Sequence, residues 1–451
     1  MTDILSPDLL ARYADTRVPR YTSYPTAPHF STAVGEADYQ SWLARLGDGP
    51  ASLYVHIPFC KAMCWYCGCH TTVAARETPV LRYVNCLHQE IDLIARNLRA
   101  PLTISHLHFG GGTPTVMPAE QMRSTMRRLR ETFTVTDNAE IAIEIDPRTF
   151  THSMAETLGD CGFNRASLGV QSFDHQVQRA INRVQSTDET KTAVDALRAN
   201  GIAGINFDVI YGLPHQTVES CLRTIECTLK LRPDRLAVFG YAHVPGFKLH
   251  QRKIDETALP DSEARFAQSR AIAEALVRAG YVEIGLDHFA LAEDPLAVAA
   301  AEGGLRRNFQ GYTTDRAEVL IGLGASSIGR MPQGYVQNEV RISEYQRLVL
   351  AGRLPTARGY RFTRDDCLRG AVIERLMCDH RVDLEAVCMA FGASPNQLLA
   401  SAKLGPLIAD GLIEARGTKL SVNPHARPLV RSVAAAFDAH LSTADRYSRA
   451  I

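Results

Sequence analysis

The sequence predicts an α/β protein built on an open, partial barrel of six βα units, with an N-terminal arm and a small, mostly helical C-terminal domain. Three observations predict this fold. Six short β-rich runs recur after Ala51, helix-length segments separate them, and about ninety final residues read as helices followed by a hairpin. Strands that alternate with helices favour a parallel sheet. In barrels of this kind the chemistry lies at the C-terminal ends of the strands.

Local composition divides the chain into four predicted units. Residues 1–50 form the polar arm, residues 51–290 the partial barrel, residues 291–358 a barrel extension that covers the substrate, and residues 359–451 the C-terminal domain. We interpret the last unit as similar to a winged helix, with a packing role, because it carries no basic run.

Each element follows from its local pattern of apolar residues. The expected strands cover residues 53–57, 104–109, 140–145, 165–170, 205–210 and 235–239, with a further strand at 281–286. The expected barrel helices cover residues 80–98, 119–133, 154–160, 187–199 and 218–231. In the C-terminal domain we expect helices up to residue 379, at 384–391 and at 395–408, then a hairpin within 411–423.

Charge and hydropathy exclude several classes of protein. Lys plus Arg equals 49 and Asp plus Glu equals 49, so the formal net charge of the 451 residues is zero. This balance gives no whole-chain electrostatic reason to bind nucleic acid or an anionic membrane surface. No stretch approaches the ~18 apolar residues of a membrane-spanning helix, and the N-terminus shows no secretory signal. We therefore expect a cytoplasmic protein without a membrane span or a nucleic-acid partner. We also expect a monomer, although the sequence does not fix the oligomeric state.

The eleven cysteines are unevenly distributed, and four of them fall within ten residues. An odd count without an export signal favours reduced thiols over a disulfide framework. We interpret the scattered cysteines as small buried hydrophobes. They are Cys86, Cys161, Cys221, Cys227, Cys367, Cys378 and Cys388.

The first chemical motif is Cys60-x-x-x-Cys64-x-x-Cys67, directly after the first strand. Three thiolates on one loop can hold three irons of a four-iron, four-sulfur cluster and leave the fourth iron open to another ligand. Zinc is the alternative, because nearby residues could complete a zinc site; these are His56, Cys69 and His70. A thioredoxin-type redox pair does not explain Cys60.

Glycines and polar residues follow the next strands. The second strand ends in Gly110-Gly111-Gly112-Thr113-Pro114, where backbone can approach a ligand closely, and the chain has no nucleotide P-loop motif. Acids and an amide then recur at or near three further strand ends, as Glu144, Asp146, Gln171 and Asp208. Several such residues at one edge of a sheet favour a binding role.

The cysteine spacing matches the radical S-adenosylmethionine (radical SAM) superfamily, and longer motifs resemble its oxygen-independent coproporphyrinogen III oxidase family. The resemblance runs from Pro19 nearly to the C-terminus. Its carriers are residues 19–26, 54–60, 67–69, 110–113, 169–173, 206–214, 287–290 and 307–314. The family commonly has an aromatic residue at the position of Tyr66, so tyrosine there is a mild variation and does not break the family pattern.

The resemblance implies a radical SAM barrel with a [4Fe–4S] cluster on Cys60, Cys64 and Cys67, and two S-adenosylmethionine molecules in one site. It assigns to the first molecule Tyr54, Gly111, Glu144 and Ile328. It assigns to the second molecule Tyr66, Gly112, Thr113, Gln171, Arg183, Asp208 and Ala242.

The implied reaction converts two propionate side chains of coproporphyrinogen III to vinyl groups and gives protoporphyrinogen IX. A 5′-deoxyadenosyl radical takes a hydrogen from each propionate, and loss of CO2 with one electron leaves the vinyl group. The reaction therefore needs an electron donor and an electron acceptor, neither of which the sequence identifies.

Four residues are candidates to meet the substrate carboxylates: Arg20, His288, Arg307 and Gln310. We expect segments 19–25 and 287–314 to close the barrel. A fourth cysteine ligand would block the open iron, so our hypothesis is that Cys69 does not bind the cluster but serves turnover or lines the substrate side.

Two alternatives remain open at this stage. The first is a haem-binding chaperone of the same superfamily, although such proteins tend to be shorter and to lack the Cys-x-Cys extension. The second is a zinc-stabilised nucleic-acid-binding protein, which the neutral charge and the glycine motif both oppose.

Overall fold

Six parallel strands form the centre of the molecule. We describe a computed structural model that covers residues 9, 12, 13, 15–441 and 447. The six strands are β1 (Pro50–Ile57), β2 (Thr103–Gly111), β3 (Thr134–Ile145), β4 (Arg165–Gln171), β5 (Gly204–Tyr211) and β6 (Arg235–Gly240). They lie side by side in chain order, and each neighbouring pair runs parallel. The predicted α/β class and the six-unit parallel sheet are confirmed, and the sheet is open rather than a closed barrel.

Six more strands extend this sheet at its two edges. They are β7 (Tyr281–Ile284), β8 (His288–Leu291), β9 (Val319–Leu323), β10 (Ile328–Met331), β11 (Gly334–Asn338) and β12 (Thr356–Arg361). Strand β8 pairs antiparallel with β6 and with β7, so the strand predicted at 281–286 joins the sheet only through a hairpin. Strand β9 pairs parallel with β1, and β10 to β12 follow it in antiparallel order.

Helices cover the outer face of the parallel strands. Those before the C-terminal domain are α1 (Glu36–Leu43), α2 (Glu77–Asn97), α3 (Ala119–Thr132), α4 (His152–Asp160), α5 (His175–Ala180), α6 (Thr187–Ala199), α7 (Val218–Lys230), α8 (Ser262–Arg278), α9 (Pro295–Ala301) and α10 (Ile342–Leu350). Period-two alternation on β1 buries Leu53, Val55 and Ile57 in the core, which leaves Tyr54 and His56 on the opposite, inner face of the barrel. The core therefore lies outside the strands, and the inner face remains available for polar residues.

The C-terminal domain combines short helices with a three-stranded antiparallel sheet. Its helices are α11 (Arg364–Asp379), α12 (Leu384–Phe391), α13 (Pro395–Ser401), α14 (Gly405–Ala409) and α15 (Val430–Ala435). Its strands are Arg381–Asp383, Ile413–Arg416 and Lys419–Val422, so the predicted hairpin is present. The single helical stretch expected at 395–408 is two helices, because the backbone is extended at Ala402 (φ −87°, ψ 141°) and a new helix begins at Gly405, with Pro406 in its first turn.

The N-terminal arm shares a hydrophobic core with the C-terminal domain. Val18, Tyr21 and Tyr24 are buried together with Leu376 and Leu429. The Arg431 Nε–H donates to the Pro19 carbonyl at 3.0 Å. Residues 1–8 of the predicted arm and most of residues 442–451 of the predicted C-terminal domain lie outside the described residues.

A buried polar network ties helix α2 to the loop that follows β9. The Glu90 carboxylate, 1% exposed, accepts from the Gly324 N–H at 2.7 Å, from the Tyr345 hydroxyl at 2.7 Å and from Asn338 Nδ2 at 2.5 Å. Two turns earlier, the Tyr83 hydroxyl donates to the His56 carbonyl at 2.7 Å. The same helix therefore fixes the end of β1 and the loop that leads to β10.

Candidate active site

The three motif cysteines lie on a loop that follows β1. The two ends of this loop pair with each other. The short strand Phe59–Cys60 pairs parallel with Thr72–Val73. At this junction the Ala74 N–H donates to the Cys60 carbonyl at 3.0 Å. The loop between them is thereby closed at its base, and it lies at the C-terminal edge of the parallel sheet, where the fold class predicted the chemistry.

The sulfur atoms of two of these cysteines meet polar groups from other parts of the sheet edge. The Cys60 Sγ lies 3.2 Å from the Thr71 hydroxyl and 3.5 Å from the Thr113 hydroxyl. The Cys64 Sγ accepts from Arg148 Nη2 at 3.4 Å and from Arg183 Nη1 at 3.5 Å.

Polar groups that can donate a hydrogen bond lie beside each of the three sulfur atoms. The Cys67 Sγ accepts from the Cys69 N–H at 3.4 Å. Cys64 is buried, Cys60 and Cys67 are half-buried, and Cys69 is exposed. Hydroxyl, guanidinium and amide donors around three thiols match the donor set that an iron–sulfur cluster needs. The cysteine triad therefore fits the cluster that the resemblance implies.

Asp146 organises the two guanidiniums beside Cys64. Its carboxylate binds Arg148 at 2.6 Å and Arg183 at 3.2 Å. Burial opposes the charge on this carboxylate, but the hydrogen bonds and charges of both arginines outweigh it and lower the pKa of Asp146. One carboxylate faces two guanidiniums, so positive charge remains for a thiolate.

Across residues 15–441 and the other described positions, no group of three or more His, Cys, Asp or Glu side chains converges on a single point. The three motif cysteines are included in this result, so it does not separate the zinc alternative from a four-iron cluster.

The glycine turn after β2 packs directly against the cysteine loop. A Cβ at Gly112 would lie 2.5 Å from the Phe59 carbonyl oxygen and 2.7 Å from Thr71 Oγ1. Gly111 has φ +115°, a conformation that side chains disfavour. The Gly112 N–H donates to the Ile57 carbonyl at 2.9 Å, which holds the turn against the start of the cysteine loop. Glycine is required at position 112, because a Cβ there would collide with the loop backbone.

The residues assigned to the first S-adenosylmethionine come together around this turn. The Gly111 N–H donates to Glu144 Oε2 at 3.0 Å, and a Cβ at Gly110 would lie 2.6 Å from Glu144 and 3.0 Å from Tyr54. Tyr54 is paired in register with Gly322. The backbone of Ile328 lies 2.8 Å from where a Gly322 Cβ would be. Hydrogen bonding to His108 and Gly111 outweighs burial and lowers the pKa of Glu144.

The residues assigned to the second molecule form two adjacent groups. In the first group, Arg183 Nη2 donates to the Gly169 carbonyl at 2.6 Å, beside Gln171 Nε2, and Gly169 is paired in register with Asp208. Burial and the charge of Glu144 raise the pKa of Asp208 to about 7.

The second group contains Gly112, Thr113, Tyr66 and Ala242. Gly112 and Thr113 border Cys60 and Phe59. The Gln251 side chain joins the other two, since its Nε2 donates to the Tyr66 carbonyl at 2.9 Å and to the Ala242 carbonyl at 3.3 Å.

Two buried polar atoms in this region have no hydrogen-bond partner within the described part of the chain. They are Gln171 Oε1 and Arg183 Nε. Gln171 also has φ +62°, an uncommon conformation for glutamine that is typical of functional positions. An acceptor and a donor of this kind fit a polar ligand such as the one assigned here.

Three of the four substrate candidates lie together at the last strands of the barrel. Arg307 Nη2 donates to the Arg20 carbonyl at 3.1 Å, and the His288 ring lies edge-on to Tyr312, over which Arg307 stacks at 4.3 Å. Asp287 binds His288 at 2.7 Å, and this contact outweighs burial to lower the pKa of Asp287 to about 2.

The fourth candidate, Gln310, lies apart from this group. It lines a small pocket that also contains Ser52, His106 and His108.

A cavity of about 930 Å³ lies between the end of β6, helix α8 and residues 424–431. Arg20, Tyr211, Asp287 and Arg431 line part of its wall. Val238 and Phe289 also line it, and both belong to the hydrophobic core on the outer side of β6 and β8. The cavity therefore lies beside the barrel, and it reaches the sheet edge at Gly240 and Ala242.

Several residues that support the site carry no sequence signal. The short helix Leu249–Lys253 contacts the cysteine loop from the side, with Lys248, His250 and Gln251 bonded to loop carbonyls. Arg148 follows the strand-end acid Asp146, which is recognisable from the sequence. Only proximity to that acid could have suggested the arginine.

Comparison with known proteins agrees with this geometry. The radical SAM superfamily model matches residues 54–227, and the HemN C-terminal domain model matches residues 362–429. Two curated relatives are each named oxygen-independent coproporphyrinogen III oxidase. The relative from Bradyrhizobium diazoefficiens is 56% identical over 98% of this chain and 99% of its own length. The relative from Paracoccus denitrificans is 44% identical over 97% of each chain.

A solved structure shows the same similarity at the level of the fold. Coproporphyrinogen III oxidase (HemN) from Escherichia coli, described as a radical SAM enzyme, superposes with a TM-score of 0.90 at 40% identity, covering 94% of this chain and 98% of that one. Superfamily membership implies a [4Fe–4S] cluster and S-adenosylmethionine as cofactors. The resemblance read from the sequence is confirmed, and the chain belongs to the oxygen-independent coproporphyrinogen III oxidase family.

Proposed function

We propose that this chain catalyses the oxygen-independent oxidative decarboxylation of two propionate side chains of coproporphyrinogen III to vinyl groups, a step of haem biosynthesis. The observation that carries the proposal is the joint placement of the thiol loop and the glycine turn at one sheet edge, with two guanidiniums on the Cys64 sulfur. Relatives named for this activity match the chain over nearly its whole length.

In this proposal Cys60, Cys64 and Cys67 hold the cluster. When bound, the cluster and S-adenosylmethionine supply one-electron cleavage and hydrogen abstraction, which no side chain can provide. The residues of the chain bind and orient these cofactors and shield the reaction from water. Glu144 accepts from the Gly111 N–H and so fixes the turn beside Tyr54, while Arg148 and Arg183 place positive charge against Cys64.

We assign two S-adenosylmethionine molecules to the site, as the family resemblance implies. Support comes from two separate clusters of residues, one around Tyr54 and Glu144 and one around Gln171 and Asp208. The unpartnered Gln171 Oε1 gives the second molecule an acceptor that the described residues leave unused.

Substituting Gly112 with alanine should weaken S-adenosylmethionine binding at least about tenfold, because the new Cβ meets backbone at Phe59 rather than a flexible side chain. Gly68→Ala is the matched control, since a Cβ at Gly68 meets nothing within 4 Å. Equilibrium dialysis of both reconstituted variants measures the effect. Equal affinities for Gly112→Ala and Gly68→Ala would contradict the assigned role of the turn.

Cys69 is proposed to act in turnover rather than in cluster binding. It is exposed, whereas the three proposed ligands are buried or half-buried. Cys69→Ser should keep its iron, sulfide and brown colour and lose decarboxylation. Iron analysis and a product assay on the same sample measure both properties, and loss of the cluster on this substitution would refute the assignment.

Arg20, His288 and Arg307 are proposed to meet substrate carboxylates at the end of the barrel, with Gln310 at a separate contact. The substrate carries four carboxylates, and guanidinium and imidazole donors suit them. In the same proposal the chain is a cytoplasmic monomer that takes electrons from a separate donor. Its four units meet at residues 50, 290 and 358. Within the described residues, no helix is long and apolar enough to cross a membrane.

The decisive experiment is an anaerobic incubation of the reconstituted protein with coproporphyrinogen III, S-adenosylmethionine and a chemical reductant. We expect 5′-deoxyadenosine, methionine and a product that carries vinyl groups. If neither 5′-deoxyadenosine nor a vinyl-bearing product forms, the proposed function is wrong.

A further inference from the structure

A short surface segment lies directly on the cysteine loop. We call residues 247–253 the loop-side surface. Lys248 Nζ donates to the Cys69 carbonyl at 3.0 Å, and His250 Nε2 lies 2.7 Å from the Cys67 carbonyl oxygen. The Lys253 ammonium lies 5.7 Å from the centre of the Trp65 ring. A partner bound to this segment would therefore lie close to the cysteine loop, because the segment is hydrogen-bonded directly to that loop.

The loop-side surface exposes large apolar side chains. Phe247 is 72% exposed and Leu249 is 64% exposed, and the two are neighbours on either side of Lys248. Two exposed apolar side chains two residues apart, with polar neighbours, offer contact area to a protein partner.

Positive charge surrounds these apolar side chains. Lys248, Arg252 and Lys253 lie within six residues, in a chain whose formal net charge is zero. Two acids follow them, but both are engaged locally. Asp255 accepts from the Thr257 N–H at 3.0 Å, and Glu256 binds His243 at 2.9 Å. The surface therefore favours an acidic partner, which a local field of this kind attracts even when the whole chain is neutral.

We propose that the loop-side surface docks an acidic one-electron carrier protein of the flavodoxin or ferredoxin class. This inference rests on the proposed function, in which each propionate converted needs one electron from outside. The carrier is oxidised by one electron and the cluster is reduced by one electron. Phe247 and Leu249 supply apolar contact area, and the positive charges orient the carrier. Lys248 and His250, bonded to carbonyls of the cysteine loop, keep this contact close to the loop.

The test uses the reconstituted holoenzyme and reduced flavodoxin as the probe. Cluster reduction is followed by absorbance and by electron paramagnetic resonance, first with flavodoxin and then with dithionite, a small reductant that needs no docking surface. The triple variant Phe247→Ser, Leu249→Ser, Arg252→Glu changes only side chains that play no part in the cluster site.

We expect the triple variant to be reduced by flavodoxin at least about tenfold more slowly than the wild type, and by dithionite at the same rate. Added salt should slow the wild type with flavodoxin but have little effect on the variant. A matched control changes an exposed apolar residue and an exposed cation elsewhere, as Leu350→Ser with Arg99→Glu, and should behave as wild type.

Two results would overturn the proposal. The first is an unchanged flavodoxin rate in the triple variant; an increased KM for coproporphyrinogen III in that same variant would make the segment a substrate entrance. The second is an equal loss with flavodoxin and dithionite, which would show that the segment supports the cluster instead. A wild type that holds no reducible cluster would instead refute the proposed function, so the two failures are distinguishable.

Discussion

Replacing Cys64 with serine is expected to leave the chain unable to hold its iron–sulfur cluster. Cys64 is 8% exposed, and its sulfur accepts from Arg148 and Arg183 at 3.4 and 3.5 Å. A serine hydroxyl is a harder ligand that does not ionise readily, so one corner of the cluster loses its thiolate. Anaerobic reconstitution should then give iron well below the value of about four per chain that a [4Fe–4S] cluster requires, and no detectable 5′-deoxyadenosine.

The control for this experiment is Cys227→Ser, which changes a half-buried thiol on helix α7. It should retain iron, sulfide and activity, because that thiol lies in a helix and not on the cysteine loop. A Cys64→Ser protein with full iron content and normal S-adenosylmethionine cleavage would show that the triad is not the cluster site.

Substituting Glu90 with glutamine should change how the stability of the chain depends on pH. Burial raises the pKa of Glu90 from 4.5 to about 7, against the opposing effect of its three hydrogen-bond donors. Between these values the folded chain binds a proton that the unfolded chain has released, so the Glu90 contribution to the free energy of unfolding falls as pH rises from about 4.5 to about 7. Over that window the contribution changes by about 3 kcal/mol.

Glutamine cannot titrate, so it removes this dependence. The difference in the free energy of unfolding between wild type and Glu90→Gln should therefore change by about 3 kcal/mol between about pH 5 and about pH 8, in favour of the wild type at the lower pH. Urea unfolding followed by fluorescence measures it, since Trp42 is buried in the core. Glu302→Gln, which changes an exposed carboxylate after helix α9, should show no such change. A pH-independent difference for Glu90→Gln would contradict the prediction.

The strands and helices of the barrel could be predicted because their signals are local. Helix α6 begins at Thr187 as predicted, since Ser186 and Glu189 form a capping box that can be read from the sequence. Strands β9 to β12 were not predicted individually. Strand β9 pairs with β1 across more than 250 residues, and no local pattern shows which partner a strand will choose.

The residues of the candidate site also differ in whether a local sequence signal identifies them. Cys60, Cys64 and Cys67 are recognisable because a fixed spacing on one loop carries their chemistry. Arg148 and Gln251 are not recognisable, because their roles exist only once distant segments meet at the sheet edge. Gln171 could be singled out by its place at a strand end, whereas Arg183 could be assigned only through the family resemblance.

The core shared by the arm and the C-terminal domain sets an order of events during synthesis. Pro19 and Arg431, which are hydrogen-bonded, are separated by 412 positions in the chain. The arm leaves the ribosome first, yet Val18, Tyr21 and Tyr24 have no apolar surface to join until the last residues are made. The barrel strands in between can pair before the two ends meet. A nascent chain can therefore form the barrel strands that position the cysteine loop before the core shared by its two ends is complete.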